Sequence, residues 1–264
     1  MQSRSWIARI IAFFVLTTIS WALVGPQACN AGWVDVRVVG PFVVRADFPL
    51  AGFDKLLAEL PQLQTELQRS LGIRPSNESI EVYLFKNEKT YRAFLARHFP
   101  KTPYKPALYD KTDGPGKVLV YRNRDFSVNL RHECTHAILH AALPMVPLWL
   151  DEGLAKYYEV PSAQRASGNS YLKDVKFVTR FGLLASIEKL ESKDDFSRLS
   201  SHDYRDCWAW VHFMLHGPAE ARHELIRFLA DIQANTPPGT LSWRLARRLP
   251  KLRAQMVSHF KTWK

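Results

Sequence analysis

The chain has 264 residues, with 36 Lys or Arg against 25 Asp or Glu and a formal charge of +11. A hydrophobic share of 47% with 23% charged residues excludes a disordered or fibrous chain and leaves material for a sizeable core. Three cysteines are too few for a disulfide-built miniprotein, and without a CxxC pair there is no thiolate zinc site.

The first element is an expected export signal. Arg4 and Arg9 lead an uncharged apolar run from Ile10 to Val24, short for a bilayer span and suited to a signal h-region. Small residues at Cys29 and Ala31 fit the −3 and −1 positions of a cleavage site, so residues 1–31 are removed and residues 32–264 remain. The destination is periplasmic or extracellular; an uncleaved segment would instead anchor the chain in the membrane.

Trp33 to Phe48 is Val-rich and broken by Gly40-Pro41, which predicts two short strands and a turn. Leucines at near-helical spacing predict a helix from Ala51 to Leu71, stopped by Gly72. Ile80 to Phe85 alternates as a strand, Glu88 to Phe99 is a second helix, and Lys117 to Tyr121 is another strand after the Asp113–Gly116 turn. Helices are then predicted over Val128–Ala142, Leu148–Val160, Val175–Leu190, Tyr204–His216, Ala219–Ile232 and Lys251–Thr262. The order implies an α+β fold with a sheet lobe over about residues 32–125 and a helical lobe over about 126–264, in one domain.

The last helix is amphipathic, with Leu252, Met256, Phe260 and Trp263 on one face. Arg244, Arg247, Arg248, Lys251, Arg253, Lys261 and Lys264 make this end basic, with no acidic partner evident in the sequence. Its outer face is either the solvated side of a docked helix or an attachment to anionic membrane or wall polymer. Nucleic acid is not an expected partner, because no binding motif is present.

Chemistry concentrates at His132-Glu133-Cys134-Thr135-His136, an HExxH pattern. Residues four apart on a helix lie only about 40° apart around its axis, so both imidazoles can reach one ion. Two neutral imidazoles suit zinc. Glu133, roughly 100° round from His132, is placed to take a proton from water at the metal. Such a site needs a third protein ligand and an open fourth position. Leu139 and Ala142 stand where the metzincin pattern requires Gly and His. His140 is one turn further along the same helix and is expected as a supporting histidine. The candidate is Glu152, in a segment that the prolines at 144 and 147 allow to turn back, with Asp151 as its rival.

Trp149-Leu150-Asp151-Glu152-Gly153-Leu154-Ala155 resembles the WLNEGFA-like segment of aminopeptidase-N relatives among the gluzincins, zinc peptidases with a glutamate ligand on a following helix. The order from Trp33 to His216, with MVPLWLDEGLAKYYE its most specific piece, is similar to short bacterial proteins with a peptidase-MA-like domain. The resemblance implies a zincin-like fold, one zinc ion on His132, His136 and Glu152, and Glu133 as general base. It further implies that Tyr204 donates to the oxyanion, with His212 or His216 as alternatives. In such sites a strand beside the HExxH helix pairs with an extended peptide, and Lys117 to Tyr121 is the expected strand. Where the thermolysin-like pattern has an acid four residues after the glutamate ligand, this chain has Lys156, so the groups that orient the histidines are not implied. Cys134 and Cys207 fall on helices the resemblance brings together, as a disulfide or as buried free thiols.

The expected activity is an exported zinc-dependent peptidase acting on peptide or protein. The alternatives are a non-catalytic or structural-zinc protein of the envelope, and a zinc amidase acting on wall polymers.

Overall fold

The computed structural model describes residues 32–263. The expected export signal, residues 1–31, and Lys264 lie outside the described residues. Strand β1 (Asp35–Val39) turns at Gly40-Pro41 into β2 (Phe42–Ala46). Helix α1 (Asp54–Leu71), β3 (Ile80–Phe85), α2 (Glu88–His98), β4 (Ala107–Asp110) and β5 (Lys117–Tyr121) follow. The sheet order is β1-β2-β3-β5-β4, parallel through β2, β3 and β5 and antiparallel at both edges.

Period-two alternation sends side chains to two different cores. Phe42, Val44 and Val82, with Val118 and Val120, face the main core under α1 and the next helix, α3 (Phe126–Ala142). Phe85 and Leu119 face the other way, onto Tyr91 and Leu95 of α2. The main core runs on through the helical lobe, so the two lobes share one apolar interior. The α+β arrangement is as expected: a mixed sheet first, then helices.

One expectation about the sheet is corrected. Lys117–Tyr121 is bonded on both sides, by β3 and by β4, and cannot accept a further strand. The edge belongs to Ala107–Asp110, a short element whose Ala-Leu-Tyr-Asp run gives little alternation to read. Among the described residues its outer side is left unpaired.

After α3 the chain turns at Leu143-Pro144 and Pro147 into α4 (Leu148–Tyr158). Then come α5 (Leu172–Arg180), α6 (Ile187–Glu191), α7 (Ser201–His216), α8 (Ala219–Gln233), α9 (Leu241–Arg248) and α10 (Leu252–Thr262). The single helix expected over Val175–Leu190 is two, because Gly182 adopts φ +70° and breaks the ladder. Helix α9 was not expected; it is short and strongly basic. Helix α10 docks through Met256 and Phe260, as the amphipathic pattern implies. Two of the basic side chains read as unpartnered have partners: Arg244 pairs with Asp231 and Arg248 with Glu224.

The tightest helix contact is α4 against α7, and Gly153 makes it possible. A Cβ there would lie 2.7 Å from the carbonyl oxygen of Cys207 and 2.8 Å from Val211. Gly153→Ala is therefore expected to cost about 1–3 kcal/mol and to lower the melting temperature by roughly 3–10 °C. An unchanged thermal unfolding curve would contradict this contact. Cys134 and Cys207 are free and fully buried, and burial pushes both thiols up, which leaves them protonated.

Candidate metal centre

Helix α3 presents His132 and His136 one turn apart, and α4 returns to present Glu152 from the opposite side. One ligand atom from each of the three lies within 4.8 Å of the others. The His132 and His136 Nε2 atoms are 3.2 Å apart. Glu152 Oε2 lies 3.6 Å from His132 Nε2, and Oε1 lies 3.9 Å from His136 Nε2. Glu152 is 4% exposed, so its charge has no solvent to lean on.

The other ring nitrogens are held by carboxylates of α4 and the residue that ends it. His132 Nδ1 is 3.0 Å from Glu159 Oε2, an oxygen that also accepts from Lys156 Nζ at 3.0 Å. His136 Nδ1 lies 2.9 Å from Asp151 Oδ1 as an ion-pair contact, and among the described residues neither of these buried atoms has a well-aligned hydrogen-bond partner. The second Asp151 oxygen, Oδ2, is 3.0 Å from His140 Nε2. Asp151 is thus no rival ligand. Its one-residue offset from Glu152 turns it behind the imidazoles, where it ties His136 to His140. His140 has the supporting place expected of it, stacked on Tyr109 of β4 with ring centroids 5.6 Å apart.

These contacts decide what the centre needs. With a proton on each Nδ1, beside the carboxylate it neighbours, both Nε2 atoms would turn lone pairs toward each other and toward Glu152. Four carboxylates (Glu133, Asp151, Glu152 and Glu159) surround one lysine and three imidazoles. A positive charge among the three converging atoms, a proton or a metal ion, would then balance them. The proton affinities say the same. Burial opposes charge on His136, yet Asp151, Glu152 and Glu133 outweigh it and push its pKa up to about 9. Burial likewise opposes charge on His132, and Glu152 and Glu159 carry it upward. Burial would raise Asp151, Glu152 and Glu159, but the histidines, with Lys156 beside Glu159, hold all three below the ordinary carboxylate range.

The centre opens onto a cleft of about 1040 Å³. Glu133 and Tyr204 both line it, together with the 105–112 stretch that contains the edge strand. Tyr204 is set in the first turn of α7 by a capping box in which Ser200 and Asp203 bond reciprocally, and Lys193 pairs with Asp203 to hold that start in place. Burial, with the negative charge of Glu152 next in effect, pushes the Tyr204 hydroxyl up to about 12, so it remains a donor at neutral pH. Lys156 Nζ lies 5.9 Å from its ring. The alternatives His212 and His216 are not in the cleft. His212 is fully buried against His259 and the carbonyl of Ala166, and His216 bonds the Tyr157 hydroxyl at 2.6 Å. Tyr204 thus lines the cleft, and the two histidines pack further along α7, outside the cleft lining.

Glu159 and Tyr109 escape a reading of the sequence. For Glu159 a signal exists: it follows Glu152 by seven residues, about 20° away around a helix, with Lys156 between. Tyr109 sits on the unrecognised strand. Asp151→Asn and Glu159→Gln are each expected to weaken zinc binding roughly 10–100-fold in an equilibrium titration, because the imidazoles lose the groups that fix their tautomers. Unchanged affinity in both would show that these carboxylates do not orient the rings.

Residues 128–238 match the family described as "Protein of unknown function (DUF1570)". The matched stretch takes in the three candidate metal ligands, Glu133 and Tyr204, while the sheet lies outside it. No curated protein matches the chain. By sequence, the candidate metal cluster and the α7 tyrosine therefore fall within the part that is similar to that family.

Proposed function

We propose that the chain is a zinc-dependent peptidase of the gluzincin kind, working outside the cytoplasm after removal of residues 1–31. The observation that carries this reading is the convergence of His132, His136 and Glu152 at the floor of an open cleft with a free carboxylate, Glu133, beside them. Zinc fits the donor set. Zn–N bonds of about 2.0–2.1 Å in a tetrahedron place ligand atoms about 3.3–3.4 Å apart, close to the 3.2 Å between the ring nitrogens. A structural zinc site is closed by four protein ligands; this one has three and faces a cleft, which favours hydrolysis over a structural role. Bound there, zinc supplies Lewis acidity toward a carbonyl oxygen and lowers the pKa of water to near 7.

The chain's own residues divide the remaining work. Glu133 takes the proton from the attacking water and returns it to the departing amine. The Tyr204 hydroxyl donates to the carbonyl oxygen as negative charge develops there. Asp151 and Glu159 hold the imidazoles in one tautomer, and Lys156 keeps Glu159 ionised. The free edge of Ala107–Asp110 aligns an extended peptide along the cleft by main-chain pairing, a geometry that favours peptide over a wall glycan.

The test is cleavage of an unfolded protein by the purified chain with one equivalent of zinc. Expected are internal fragments, loss of activity with a chelator and recovery when zinc is restored. Turnover that persists in excess chelator, or none on any peptide, would contradict the proposal.

A further inference from the structure

Helix α5 carries an unusual outward face. Leu172, Val175 and Thr179 are buried beneath it, so the opposite stripe at i, i+4, i+7 and i+8 reads Lys173, Phe177, Arg180 and Phe181. Phe177 is 62% exposed, Phe181 58% and Leu183 65%. The two exposed rings lie against each other with centroids 4.9 Å apart and planes tilted by 53°. Large side chains on a folded surface are normally scattered singly, whereas these three crowd into seven residues of chain. Gly182 bends the backbone so that Leu183 follows directly, and Arg253 of α10 fixes the bend by donating to the Gly182 carbonyl at 2.7 Å.

Beside the stripe lies an apolar groove of about 460 Å³, lined by Leu184, Trp210, Leu249, Leu252 and Val257 among others. Lys251 and Arg253 stand on its rim. Among the described residues neither these two nor Lys173 and Arg180 pairs with a carboxylate, and the nearby acids are Asp174 and Glu188. The surface shares no lining residue with the metal cleft.

We infer that this face binds the surface of an anionic lipid bilayer. Aromatic rings interleaved with cations suit the boundary between headgroups and acyl chains, where rings enter the apolar layer and cations meet phosphates. The centre of a protein–protein interface is instead depleted of charge, which argues against a protein occupant. Attachment would be peripheral, since no helix among the described residues is long and apolar enough to cross a membrane. The basic end of the chain takes part through Lys251 and Arg253 at the start of α10, while the aromatic contact comes from α5.

The test is co-sedimentation of residues 32–264, the form left after removal of residues 1–31, with vesicles of pure phosphatidylcholine, or with a quarter phosphatidylglycerol. Two variants accompany it: Phe177→Ser with Phe181→Ser and Leu183→Ser, and Lys173→Glu with Arg180→Glu. Expected is salt-sensitive binding to the anionic vesicles, weaker by about tenfold or more in each variant, with melting temperatures unchanged because every altered side chain is exposed. Phe177→Trp should show a blue-shifted emission on those vesicles only. Three results would overturn the inference. One is no binding to either vesicle. Another is equal binding by wild type and both variants, which assigns attachment to another part of the chain. The third is a dimer that the serine variant abolishes, without vesicle binding.

Discussion

Glu133→Gln is expected to lower turnover by roughly 10²–10⁴-fold while the protein keeps its metal and its fold. Glutamine preserves the size of the side chain and its place on the cleft wall, but it cannot take a proton from water. Among the described residues Glu133 shows no hydrogen bond to another side chain, so little else is lost with its charge. Three neighbouring acids, Asp151, Glu152 and Glu159, are each committed to an imidazole. None is free to substitute as a base. The measurement is a pair of assays on one preparation, metal content and single-turnover cleavage. Cleavage at wild-type rates with metal bound would remove Glu133 from the chemistry. Loss of both together would make it a structural or ligating residue.

Zinc affinity is expected to climb about tenfold per pH unit from about 6.5 toward 9 and then level off. The reason is the proton that the centre holds when no metal is bound. His136 has an ordinary value of 6.5, and in the fold burial is overcome by Asp151, Glu152 and Glu133, which push it up to about 9. Metal must displace that proton, so binding releases it and strengthens as pH rises through the window. The sign for stability without metal is the opposite. A raised histidine contributes stability fully below about 6.5 and loses it as pH rises through about 9. Metal-free protein should therefore melt at a lower temperature at pH 9 than at pH 6, and zinc should reverse the order. An affinity that is flat between pH 6.5 and 9 would show that no proton is exchanged at the ligands.

How much of this could be read from residues alone follows from locality. His132, Glu133 and His136 are fixed relative to one another by helix geometry, which a spacing rule captures. Glu152 was reachable because the prolines at 144 and 147 return the chain within a short segment. The oxygens behind the rings were less legible. Asp151 and Glu152 are adjacent, and only the rotation of α4 against α3 decides which one meets the metal side and which ties His136 to His140. That rotation is set by Gly153, whose missing side chain lets α4 settle on the backbone of α7. The edge strand was hidden for another reason. Ala107–Asp110 is held by pairing with β5 and by packing of Leu108, so its strand character is tertiary rather than intrinsic. Missing it moved the expected peptide-binding edge one strand inward, to Lys117–Tyr121. Tyr204 shows the reverse case: the later helix and its capping box are local, but the approach of its first turn to the cleft depends on the long path through α5 and α6.

The central claim is most directly tested by a crystal structure of the zinc-loaded protein with anomalous data at the zinc edge. Expected is one peak within about 2.0–2.2 Å of His132 Nε2, His136 Nε2 and an oxygen of Glu152, with Asp151 still behind His136. A peak elsewhere, or one on the two imidazoles with the Glu152 carboxylate turned away, would contradict it.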